Sequence, residues 1–96
     1  MKAISLRQKK ITDDLGNVVE IRMWQLPGRS KDKPHGYKYS LVYIVEGVRV
    51  IGYDNSEGKG DHRHREGKTN SYHFVSLRKL ANDFLRDVGK YKRGEL

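Results

Sequence analysis

The sequence predicts an α+β domain: a small antiparallel sheet made of two hairpins, with one C-terminal amphipathic helix packed on a face. Three observations carry that prediction. Residues 37–55 read as strand, Glu46-Gly47 turn, strand; residues 3–26 read as a second hairpin around TDDLGN; and residues 76–92 repeat apolar side chains at helical spacing. With 96 residues the chain is expected to form one domain, spanning 1–96, with a thin core.

In the first hairpin, AISLRQKKI alternates around Ile4 and Leu6, and VVEIRMWQL aligns Val19, Ile21 and Met23 on one side. The other side is then expected to carry Ser5, Arg7 and Lys9 with Glu20, Arg22 and Trp24. PGRSKDKPHG, residues 27–36, holds both prolines and the cations Arg29, Lys31 and Lys33, and reads as a flexible basic loop suited to phosphate.

In the second hairpin, a two-residue turn at Glu46-Gly47 pairs Val45 with Val48, and an unbroken register would continue to Tyr43 with Val50 and Tyr39 with Asp54. Residues 56–71 follow as a glycine-rich basic loop, and SYHFV would supply a fifth strand if extended. In the helix, Leu77, Leu80, Ala81, Phe84, Leu85 and Val88 share a stripe, Ser76 is the expected N-cap, and KYKRGEL is expected to fray.

Twenty Lys and Arg against twelve Asp and Glu leave a net charge of +8, which draws polyanions: RNA, free or on the ribosome, or an acidic protein. Basic balance that serves solubility alone is the alternative. No apolar run is long enough for a bilayer and no leader pattern opens the chain, so a soluble cytoplasmic protein without membrane contact is expected. The absence of cysteine excludes disulfides, thiol catalysis and thiolate zinc sites. Oligomeric state is not legible.

The segment that carries chemistry is GYDNSEGKGDHRHREGK, residues 52–68. Cleaving RNA by general acid–base chemistry needs one group to take the 2′-hydroxyl proton and one to protonate the 5′-oxygen; histidine suits both near neutral pH. His62 and His64 are the candidate pair, with Arg63 and Lys59 on the phosphate and Asp54 and Tyr53 orienting them, although for Asp54 a cap on the following loop through an Asx turn stands slightly ahead of that role. Arg65, Lys38 and Arg49, with Arg29, Lys31 and Lys33, supply further phosphate contacts. No cofactor is required.

In an extended chain His62 and His64 would point the same way, and with Asp54 or Asp61 they could instead chelate a transition metal. The arginines beside them disfavour a bound dication, so metal stands second. A solvated polar loop is the third reading. His35 reads as a surface residue, His73 as a sheet-edge residue, and Trp24 as core or edge packing in preference to a base-stacking platform.

The string YSLVYIVEGVRVIGYDNSEGKGDHRH, followed by YHFVSLRKLANDFLRDV, resembles the TumE-type toxins of prokaryotic type II toxin–antitoxin systems over roughly residues 37 to 88. The matching positions are Gly52, Tyr53, Asp54, Asn55, Gly58, Lys59, Gly60, Asp61, His62, Arg63 and His64. The resemblance implies a small toxin that arrests growth unless a cognate antitoxin, encoded beside it, neutralises it. Many small basic toxins of such systems cut mRNA without metal, an analogy that favours an endoribonuclease. A non-catalytic RNA- or ribosome-binding module and an antitoxin-docking protein remain the alternatives.

Overall fold

The computed structural model describes residues 2–31, 33–55, 58 and 60–96. Its elements are β1 (Ile4–Thr12), β2 (Val18–Gln25), β3 (Tyr37–Val45), β4 (Val48–Asp54), β5 (His62–Arg65), β6 (Lys68–Ser71) and α1 (Leu77–Lys92). The strands form one antiparallel meander in chain order. The α+β class and the C-terminal helix agree with the sequence, but the sheet has six strands where four or five were expected.

The two additional strands lie inside 56–71, the stretch read as a loop, while only Ser71 of SYHFV is in a strand. HRHR and KTNS carry no apolar alternation, so side-chain pattern does not reveal them. Their backbones instead satisfy the outer edge of β4, through pairs such as Gly52 with His64 and Asp54 with His62. The turn joining them, Glu66-Gly67, has φ of 47° and 82°, nearly repeating the 52° and 78° of Glu46-Gly47. Two successive positive φ values are what a primed hairpin turn requires, and the second falls on glycine, which adopts it without steric cost.

Two irregularities set which side chains share a face. In β3–β4 the register runs Val45 with Val48 and Ile44 with Arg49, then jumps to Tyr43 with Ile51 and Leu41 with Tyr53. Val50 is the extra residue, and the expected pairs of Tyr43 with Val50 and Tyr39 with Asp54 do not form. The bulge has a clear physical gain. It turns Ile51 and Tyr53 toward the helix, where an unbroken register would have turned Val50, Gly52 and Asp54.

A second bulge at Leu6 sets Arg7 opposite Met23 and Lys9 opposite Ile21. Arg7 and Lys9 therefore leave the face expected for them and share the helix side of the sheet, while Ser5 stays opposite Trp24.

Helix α1 lies on one face only. Leu80, Phe84 and Val88 pack into a core with Ile21, Met23, Tyr39, Leu41, Tyr43, Ile51 and Tyr53. Ser76 caps the helix as expected, its Oγ accepting from the Lys79 amide at 3.1 Å. The terminal KYKRGEL does not fray throughout: the helix continues to Lys92, and the amides of Gly94 and Glu95 bond back to the carbonyls of Tyr91 and Lys90. Segment 27–36 connects β2 to β3, and its base is pinned by the Leu26 amide on the Gly36 carbonyl at 2.8 Å. No helix is long and apolar enough to cross a membrane among the described residues.

Candidate active site

The sheet face without the helix holds the candidate site. Because opposed residues of antiparallel strands share a face, the pairings define cross-strand rows there. One row runs Gln8, Arg22, Ser40, Asp54, His62 and Ser71; the next runs Lys10, Glu20, Val42, Gly52, His64 and Thr69. His62 and His64 thus point to the same side, in the alternation the sequence suggests. Asp54 joins them because of the Val50 bulge.

His62 is held from two directions. Its Nδ1 donates to the Gly60 carbonyl at 3.2 Å, and its Nε2 faces Asp54 Oδ1 at 2.8 Å. Both ring nitrogens look onto oxygen acceptors, an arrangement in which an imidazolium can donate twice. The approach to Asp54 is short without being aligned as a hydrogen bond, and Asp54 Oδ1 is otherwise a buried acceptor lacking a donor among the described residues.

His64 Nδ1 lies 3.1 Å from the Thr69 hydroxyl. Partial burial, and then the positive charge of Arg49, hold the His64 imidazole below its ordinary pKa. Arg49 reaches the site because position 52 lacks a side chain: a Cβ there would meet Arg49 Cδ at 3.1 Å. Its Nη1 stands 3.7 Å from Asp54 Oδ2. Arg49, Asp54, Asp61, His62, Thr69, Asn70 and Ser71 line a cavity of about 370 Å³. A larger cavity of about 450 Å³, between the β1–β2 turn and the end of α1, is lined by Leu15, Tyr43, Val45 and Tyr91 together with Asp13, Asp14, Asn17 and Lys92. It holds no histidine, and its Lys92 is paired with Asp13 at 3.7 Å.

Tyr53 and Arg63 do not join this group. They lie on the helix side, where the Tyr53 hydroxyl donates to Asp87 Oδ2 at 2.5 Å, and Arg63 Nη1 stands 3.4 Å from that hydroxyl and 4.0 Å from Asp87. Burial, and then the bond to Asp87, push the Tyr53 phenol well above its usual value. The sheet separates both residues from the histidines.

Asp61 borders the same cavity as His62, but its carboxylate is engaged by other partners. It accepts from the Tyr39 hydroxyl at 2.7 Å and the Asn55 amide at 3.3 Å, and His35 Nε2 meets it at 2.9 Å. His35 is therefore not a free surface residue. Its Nδ1 accepts from the Tyr37 amide at 3.1 Å, which leaves the proton on Nε2 to be given to Asp61, and its ring packs 4.0 Å from that of Phe74. Asn55 completes the cluster by bonding the backbone of Tyr37 and Tyr39. Sequence reasoning missed this network. Its partners are far apart in the chain, and only their polarity hinted at it.

Of the cations, Lys38 and Arg49 occupy the uncovered face, and Arg65, opposite Ile51, the helix side. Arg29 and Lys31 are exposed, and Lys33 sits in a turn with reciprocal backbone bonds to Ser30. Lys59 lies outside the described residues. His73 is exposed. Trp24 takes no part in the core cluster, and faces the uncovered side with Lys38 Nζ 5.4 Å from its ring centroid. Among the described residues no three His, Asp or Glu side chains converge as a metal centre would need.

The family model for toxin TumE matches residues 2–92. No curated protein and no solved structure matches. Because the family match runs from β1 through the histidine strand to the last turn of α1, the chain belongs to the TumE toxin family, and membership implies an antitoxin partner.

Proposed function

We propose that this toxin is a metal-independent endoribonuclease in which His64 acts as base and His62 as acid. The observation that carries the reading is the pair of histidines side by side on the uncovered face with Asp54 and Arg49. Their Cα atoms, two residues apart on a strand, are about 6.7 Å from each other, room enough for the rings to straddle a phosphodiester.

With Nδ1–H donating to Thr69, His64 keeps a free Nε2 lone pair, and its lowered pKa keeps that lone pair available at neutral pH. His64 takes the 2′-hydroxyl proton as the 2′-oxygen attacks phosphorus. His62 gives its Nε2 proton to the departing 5′-oxygen, leaving a 2′,3′-cyclic phosphate and a 5′-hydroxyl. The Gly60 carbonyl orients His62 through Nδ1, Asp54 faces the Nε2 proton until the departing 5′-oxygen takes it, and Arg49 neutralises charge that builds on the phosphoryl oxygens. Tyr53 and Arg63, bonded to Asp87, fix β4 and β5 to the helix.

The test is cleavage of RNA by the purified toxin in chelator. His62→Ala or His64→Ala should lower the rate by about 10²- to 10⁴-fold with the fold intact. Cleavage unchanged in the double variant would sink the assignment; activity abolished by chelator would substitute a metal enzyme. The cations remote from the histidines support a second reading, RNA or ribosome binding without cleavage. It predicts steeply salt-dependent binding and losses spread over cations of the uncovered face such as Arg22 and Lys38.

A further inference from the structure

A sheet with a helix on one side only leaves its other face to solvent or to a ligand. On that face Lys10, Arg22, Lys38 and Arg49 outnumber the carboxylates Glu20 and Asp54, so it complements a polyanion. Trp24 is the sole tryptophan of the chain, yet it gives nothing to the core; it is half-buried on this face beneath the Lys38 ammonium. From Trp24 to His62 is three strands across and one row along, about 16 Å from strand spacing and rise.

We infer that this face binds single-stranded RNA, with a base stacked on Trp24 and the strand crossing β3 and β4 to bring a phosphodiester to His62 and His64. Paired bases are stacked within a duplex and have no face to offer a protein ring, whereas unpaired bases splay onto aromatic side chains. Lys38 moves from the ring to a neighbouring phosphate as the base arrives. Arg22, held by Glu20 at 3.0 Å, lies beside Lys38 along the same path. A span of about 16 Å corresponds to a few nucleotides, so the substrate is a short unpaired stretch and not an isolated dinucleotide. The inference rests on the ribonuclease reading only for what happens to the strand at the histidines.

The single tryptophan makes the test direct. The full-length toxin is titrated with a short 2′-O-methyl RNA, which has no 2′-hydroxyl to attack, as a single strand and as a duplex, following Trp fluorescence and the anisotropy of a labelled strand. The single strand should quench Trp24 saturably and the duplex should not. Trp24→Ala should weaken single-strand affinity by roughly 5- to 150-fold, and Trp24→Phe should restore much of it. Tight binding without quenching, equal quenching by duplex, or unchanged affinity in Trp24→Ala would each overturn the inference. So would quenching by the cognate antitoxin alone, with no RNA binding. Because the oligonucleotide resists cleavage, stacking without any ribonuclease activity would refute the catalytic reading alone, and cleavage with unchanged KM in Trp24→Ala would refute this one alone.

Discussion

Replacing Tyr53 by Phe removes one oxygen and little else, which makes it a clean probe of the bond that ties the sheet to the helix. The ring stays, so no cavity opens around a side chain that is fully buried. What is lost is the 2.5 Å bond to Asp87, a carboxylate only 1% exposed. Hydrogen bonds to charged groups contribute about 1.5–3 kcal/mol, and Arg63 at 4.0 Å remains to offset part of the loss, so about 2 kcal/mol is expected. At about 4–8 °C per kcal/mol for a domain of this size, Tm should fall by roughly 8–16 °C. Urea unfolding followed by circular dichroism should show a lower midpoint with unchanged slope. Well below the transition, RNA cleavage and growth arrest should be as in the parent. A loss under about 0.5 kcal/mol, within the range of a featureless surface site, would refute the energetic role. A loss of activity without a loss of stability would return Tyr53 to the chemistry.

Two further outcomes follow from the titrating groups. Tyr39, Tyr53 and Tyr72 all have phenols pushed above the ordinary value of 10.0, by burial first and by bonds to Asp61, Asp87 and Asp83 respectively. Their neutral forms are favoured by folding, so that contribution is whole below pH 10 and is lost as pH rises above it toward the folded values. Urea midpoints measured from neutral to strongly alkaline pH should fall, less steeply in each Tyr→Phe variant; equal slopes in parent and variants would contradict this. Arg49→Met should raise the His64 pKa toward its usual 6.5, incompletely because burial persists, and should move the acid limb of the cleavage profile to higher pH. Histidine NMR titration reads the first effect directly, and a His64 value that stays put or falls would show that Arg49 is not the source.

The parts of the fold visible in the sequence are those in which apolar side chains repeat with a fixed period. β3, β4 and α1 are of this kind, and Glu46-Gly47 marks the turn. β5 and β6 are held by backbone pairing to an edge and carry only polar side chains, so periodicity passes over them; Glu66-Gly67 repeats the Glu46-Gly47 turn, but Glu57-Gly58 offers the same pair within the same stretch. A bulge leaves no mark in composition either. Val50 looks like its neighbours, yet it reverses the side on which Ile51 through Asp54 emerge. The shared side of His62 and His64 follows from alternation only once residues 62–65 are extended, and the sequence reads there as part of a loop. Which residues accompany them was not legible: Asp54 and Arg49 are brought in, while Tyr53 and Arg63 are sent to Asp87.

The same alternation gives the motif two audiences. Tyr53, Asn55, Asp61 and Arg63 are addressed to the protein itself, through Asp87, Tyr39 and the β3 backbone; Asp54, His62 and His64 are addressed outward. Odd and even positions of one short string can therefore drift under separate pressures, one set answering to folding and the other to whatever the toxin meets.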